Sequence, residues 1–217
     1  MYQQDFIKRL IRQFTQAVLQ ILGLTQSGRL TEAAQLLEQT YGDLFGLSST
    51  VVFYTPVEEL IQLVSRGDDD DPQRIFILAE LLRSESRISQ ANGQDFDAHQ
   101  RRLKSLALHL ESARRAPKLD PQAALEAILD LQHAIQEDGM PAETQADLFF
   151  FFEDAGYYRH ALDAIRSYLR HSERPQEVRP YLEAFCRRML ELPPEQLASG
   201  GLSPAEVETA LKEATKS

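Results

Sequence analysis

The sequence predicts an all-α protein, and three observations carry that expectation. Apolar residues recur at helical spacing over long stretches, and those stretches are rich in Ala, Leu, Gln, Glu and Arg. β-Branched clusters are almost confined to Ser49–Thr55, and most of the 10 Gly and 10 Pro stand where they punctuate helices. A chain of 217 residues, 43% of them hydrophobic, is long enough for one domain or one continuous array, burying roughly 70% of its unfolded surface.

Taken in order, Phe6, Ile7, Leu10, Ile11, Phe14, Val18, Ile21 and Leu22 form one stripe, which predicts an amphipathic helix over about 3–25. A second helix is expected over Thr31–Phe45, ended by Gly46. Leu47–Tyr54 is the one strand-like run; with no second candidate strand to pair with, it reads as an extended connector. Thr55-Pro56-Val57-Glu58 has the form of a capping box opening a short helix to about Ser65.

Asp68–Asp71 lack the alternating ligands and central Gly of a calcium loop, so Asp71-Pro72 reads as N-cap and first helical residue. Two long helices follow, over 73–91 and 95–115, joined near Asn92-Gly93. Ile75, Leu78, Ala79 and Leu82 face one way in the first, and Phe96, Leu103, Leu106, Leu110 and Ala113 in the second, which predicts a helical hairpin. Asp120-Pro121 opens the next helix, with Ala124, Ile128, Leu131 and Ile135 inward. The expected elements after residue 172 are a bend over Glu173–Pro180, a helix over Tyr181–Leu190, a flexible Ser199-Gly200-Gly201 spacer, and a last helix opened by the capping box Ser203-Pro204-Ala205-Glu206.

A formal net charge of −10 opposes general attraction to nucleic acid or anionic lipid. Seven arginines between 159 and 188 (159, 166, 170, 174, 179, 187, 188) face four acids there, an excess better read as paired or solvated than as an anion site. Cys186 is the only cysteine, which excludes an internal disulfide and reads as a structural thiol. Asp5, Lys8, Arg9 and Arg12 interrupt the apolar residues at the start, and no apolar run approaches a membrane span, so the expectation is a cytoplasmic protein without membrane association.

Glu126, Asp130, His133 and Glu137 form a polar stripe, and Asp130-x-x-His133 is the sharpest ligand-like pair because residues three apart on a helix can share an ion. Neither His99 nor His109 supplies a matching second half, so the stripe reads as a polar surface, with no metal or cofactor expected. No Gly-rich phosphate loop, zinc pattern or nucleophile elbow is present, and catalysis is not the expected role.

Residues 142–172 are the most informative. They read as two antiparallel helices meeting at Gly156, and the four consecutive phenylalanines Phe149–Phe152 spread around nearly the whole helix, so no single buried face can hold them all. Either neighbouring helices flank this one and bury the run completely, the expected outcome for aromatic packing material, or part of it is a binding face. Leu148, Phe149 and Phe152, then Gly156, Tyr158, Ala161 and Ile165, give this stretch the pattern by which it resembles one tetratricopeptide repeat unit. Gln145, Phe149 and Tyr168 depart from that pattern, standing where Trp, a small residue and Ala are usual. Gly28, Leu30, Ala33 and Leu37 echo the same spacing, making 14–46 a weaker unit, and 72–115 a degenerate one. The chain also resembles an uncharacterised family of small bacterial helical-repeat proteins.

The resemblance implies stacked hairpins in a right-handed, tetratricopeptide-like superhelix with irregular connectors over 1–192, followed by a flexible spacer and capping helix over 193–217. It also implies that a protein or peptide partner is bound on a concave face of first helices. That face selects Glu143, Ala146, Phe150, Glu153 and Asp154, and in the first unit Thr15, Val18, Leu22, Thr25 and Gln26. The expected partner is a segment with an apolar or aromatic anchor and basic neighbours. Self-association through Phe149–Phe152 is the alternative; a metal-binding or enzymatic role at Asp130 and His133 ranks below it.

Overall fold

The computed structural model describes residues 2–65, 72–136 and 139–215. Among them are twelve helices: α1 (Tyr2–Gln26), α2 (Leu30–Phe45), α3 (Ser49–Tyr54), α4 (Val57–Val64), α5 (Pro72–Ala91), α6 (Asp95–Arg115), α7 (Pro121–Gln136), α8 (Ala142–Asp154), α9 (Tyr158–His171), α10 (Pro175–Glu191), α11 (Pro194–Ser199) and α12 (Pro204–Thr215). No strand occurs among the described residues, so the fold is all-α, and no described helix is long and apolar enough to cross a membrane. The chain divides into two compact units, 1–139 and 140–217.

In the first unit α1 pairs with α2 and α5 with α6, while α7 packs on α6. The core is built from Ala33, Leu37, Tyr41, Val52, Leu60, Ile75, Leu78, Leu82 and Leu108, all buried. Each large apolar side chain so placed contributes roughly 1.5–3 kcal/mol relative to exposure. Two hydroxyls tie α6 to the backbone of α5: Ser105 donates to the Ala79 carbonyl at 2.7 Å and Ser112 to that of Pro72 at 2.8 Å.

Several expectations change here. The run after Leu47 is a helix and not an extended connector: the Ser48 hydroxyl accepts from the Val51 amide at 3.2 Å, and Lys104 of α6 donates to the carbonyls of Val52, Phe53 and Thr55 where α3 ends. The Thr55–Glu58 capping box is not formed; α4 begins at Val57 with Pro56 as N-cap and no side-chain cap bond. Phe96 is 72% exposed and Ile11 43% exposed, so neither belongs to the buried stripe of its helix. The Asp68–Asp71 cap and Glu137 lie outside the described residues, as do the side chains of Phe6 and Ile7.

The second unit consists of two consecutive hairpins, α8/α9 and α10/α12, with the short α11 inserted in the second. The first turns at Gly156, whose φ of +80° is the left-handed conformation glycine adopts most readily. There the Tyr157 amide reaches the Phe152 carbonyl at 2.8 Å and the Gly156 amide that of Glu153 at 3.1 Å, which satisfies two carbonyls at the end of α8. The hairpins α1/α2 and α5/α6 turn with the same pair of bonds. α10 begins at Pro175, six residues before the expected start, because Pro175 occupies the first helical turn and Pro180 is accommodated close behind it. Where the sequence suggests a flexible spacer, α11 forms, Leu197 and Gly200 are buried, and the Gly200 carbonyl accepts from the Arg159 amide at 2.9 Å. The last capping box forms as expected: the Ser203 amide donates to Glu206 at 2.9 Å and the Glu206 amide to the Ser203 hydroxyl at 3.4 Å.

Pairings between the two hairpins share one direction. Phe149 meets Phe185 and Glu153 meets Arg188, so α8 and α10 run parallel. Arg159 pairs with Glu206 and Arg166 with Glu213, both 47 residues on, so α9 and α12 run parallel too.

Candidate functional site

The four phenylalanines of α8 are not all buried, which corrects the expectation of complete burial. Phe149 is 2% exposed and Phe152 fully buried, Phe151 is half-buried, and Phe150 turns outward at 48% exposure. The Phe149 ring stands edge-on to Phe185 at 5.5 Å between centroids, which anchors α8 to α10. Phe150 leans on Phe149 at 5.0 Å and meets Tyr181 of α10 at 6.3 Å with the rings at 86°. Tyr181 is 55% exposed. Two large aromatics thus form a right-angled corner on the surface over a buried aromatic pair.

One turn further along, Arg188 grips the Glu153 carboxylate with both prongs of its guanidinium, Nε to Oε1 at 2.9 Å and Nη2 to Oε2 at 3.0 Å. Asp154 and Glu143 are exposed and Ala146 is half-buried. Phe150, Glu153 and Asp154, read from the sequence as one face, therefore cluster towards the C-terminal end of α8, with Ala146 and Glu143 at successive turns before them. The sequence reading left Tyr181 and Arg188 out of the site because nothing local to them shows that their helix packs beside α8. The signal available was the spacing of Tyr181, Phe185 and Arg188 at four and three residues.

The face selected in the first unit is less distinctive. Thr15 and Thr25 donate their hydroxyls to the carbonyls of Ile11 and Ile21 in their own helix, both at 2.8 Å. Val18 and Leu22 are half-buried, Gln26 is exposed, and no aromatic accompanies them on α1 between Thr15 and Gln26.

Several of the remaining chemistry-bearing residues are held in structural pairs. Asp130 accepts from Arg83 at 3.0 Å and Arg87 at 2.7 Å, both on α5, while His133 is exposed. Behind that pair lies a buried polar layer. His109 Nε2 stands 3.2 Å from Glu80 Oε1, and Arg83 binds the same carboxylate. Burial of Glu80 works against its charge, yet His109 and Arg83 outweigh it and hold the carboxyl at about 2. Burial pushes His109 down against the pull of Glu80.

On the other side of the layer, Tyr41 donates to Glu85 at 3.0 Å and Arg101 lies 2.9 Å from the same group; burial pushes both the Tyr41 hydroxyl and the Glu85 carboxyl up. Burial likewise raises the Cys186 thiol to about 11, leaving it protonated and a poor nucleophile at neutral pH. Of the arginines between 159 and 188, Arg159, Arg166, Arg174, Arg187 and Arg188 pair with Glu206, Glu213, Glu177, Glu183 and Glu153. That pairing neutralises the local basic excess. Arg159 and Arg166 also line an open cavity of about 340 Å³ with Ala205, Glu206 and Thr209.

A family model described as "Family of unknown function (DUF6483)" matches residues 1–217, so the chain belongs to that family. No curated protein and no solved structure matches it.

Proposed function

We propose that this member of the family is a tetratricopeptide-like helical-repeat module that binds a protein or peptide segment, without a catalytic step, on the face of α8 and α10. The observation that carries this is the exposed corner of Phe150 and Tyr181. Adjacent surface aromatics supported from beneath are rigid, preorganised contact area of the kind that dominates binding interfaces. The parallel course of α8 and α10 supports the repeat reading, since Glu153 and Arg188 are 35 residues apart, against a repeat length of about 34. The 47-residue separation of Arg159 from Glu206 is longer because α11 and the Gly200-Gly201 turn are inserted before α12. Repeats of this type use their first helices for recognition, and α8 and α10 are the first helices of their hairpins.

The test is a photo-reactive benzoylphenylalanine at position 150, expressed in the native host, with a control at Phe96, which is more exposed than Phe150. A cross-link from position 150 alone to a different protein supports the reading. A cross-link to a second copy of the chain replaces it with self-association through the aromatic run. No adduct, or equal adducts from both positions, contradicts it.

A further inference from the structure

The partner's chemistry can be read from what surrounds the aromatic corner. The Phe150 and Tyr181 rings meet edge to face at 86°, and 48% and 55% of these residues remain exposed, so aromatic surface from both is open at one corner. The face of an aromatic ring is its negative region and attracts a cation within about 6 Å of the centroid. Acids are placed around the same corner: Asp154 is one helical turn beyond Phe150 and Glu143 two turns before it, both exposed.

The position of these acids is itself unfavourable to the isolated helix. Glu153 and Asp154 occupy the last turn of α8, at the negative end of the helix dipole. Arg188 answers Glu153, whereas Asp154 has no ion-pairing partner among the described residues. A cation held over the corner would meet the two aromatic side chains, with the exposed Asp154 one helical turn from Phe150.

We infer that the α8–α10 face recognises a basic side chain, arginine or lysine, presented by a segment of another protein, with Phe150 and Tyr181 as its seat and Asp154 as its counter-ion. This rests on the binding role proposed above and goes beyond it, since an aromatic corner alone would serve an apolar anchor equally well. Glu153 is a positioning residue, fixed by Arg188, and is not counted among the groups that meet the cation.

The test selects a random-peptide display library on the immobilised full chain. Labelled winners are then titrated by fluorescence anisotropy against the wild type and against F150A, Y181A, D154K and D154N, all exposed positions where thermal unfolding checks that the fold is kept. The expected winners carry arginine or lysine, lose about tenfold in affinity with F150A or Y181A, lose more with D154K than with D154N, and weaken with added salt. Winners without a basic residue that still depend on Phe150 would overturn the cation assignment while leaving the binding face intact. Winners indifferent to Phe150 and Tyr181, or no enrichment over a blank surface, would overturn both.

Discussion

A Cβ built on Gly200 would fall 2.1 Å from Cδ2 of Tyr158, closer than any real contact of that kind. The turn between α11 and α12 is therefore pressed flat against the start of α9, where the Arg159 amide and guanidinium reach the Gly200 and Gly201 carbonyls at 2.9 and 3.1 Å. The Gly156 carbonyl, 2.8 Å from the same built Cβ, closes the other side.

Gly200→Ala is expected to destabilise the second unit by about 1–3 kcal/mol, because the methyl group has no space without moving Tyr158 or backbone. Gly23→Ala is the control: it sits within α1 with open space around it, and should raise stability by roughly 0.5–1 kcal/mol. Urea unfolding of the two variants checks both signs. Equal effects would remove the packing argument.

Acid should weaken the first unit through Glu80. Its carboxyl titrates at about 2 in the folded chain against an ordinary 4.5, so between those values the unfolded chain binds more protons. The stabilisation is present in full above pH 4.5 and is lost as pH falls towards 2, amounting to about 3 kcal/mol. His109, pushed below its ordinary 6.5, acts in the same direction and begins to withdraw stability as pH falls below that value. Denaturant midpoints of wild type and E80Q between pH 7 and 2 measure this; the variant is expected to start less stable and to show a shallower acid limb.

Lys104 is the far end of a cap that no local pattern reveals. Its ammonium donates to three carbonyls, those of Val52 at 3.0 Å, Phe53 at 2.5 Å and Thr55 at 2.7 Å. Lys104→Met should cost about 2 kcal/mol by leaving them unmet. Hydrogen exchange of the α3 and α4 amides should quicken while that of α8 and α9 stays unchanged.

The same residue shows where sequence reading runs out. Periodicity and glycine punctuation located most helices, since α1, α2, α5 and α6 carry regular apolar stripes and their hairpins close at Gly28 and Gly93. Ser49–Tyr54, with Val51-Val52 at its centre, looks extended on local preference, and its helix is completed by a lysine about 50 residues away. Proline arithmetic hid the start of α10, because Pro180 reads as a breaker, yet it lies inside the helix, in the second turn after Pro175.

At the candidate site, the angular spread of Phe149–Phe152 shows only that one buried face cannot hold all four; complete burial between flanking helices is the reading the sequence favours, and the exposure of Phe150 corrects it. Which ring faces outward depends on the placement of α10, and so does the pairing with Tyr181. The pairing of Glu153 with Arg188 likewise joins residues 35 apart, a separation no helical period encodes.

The most direct measurement compares the wild type with the F150A/Y181A double variant in two assays on the same preparation. Both side chains are about half exposed, so unfolding free energy should change by no more than roughly 0.5–1 kcal/mol, while capture of protein partners from native-host extract falls to background. Undiminished capture by a folded double variant would contradict the account.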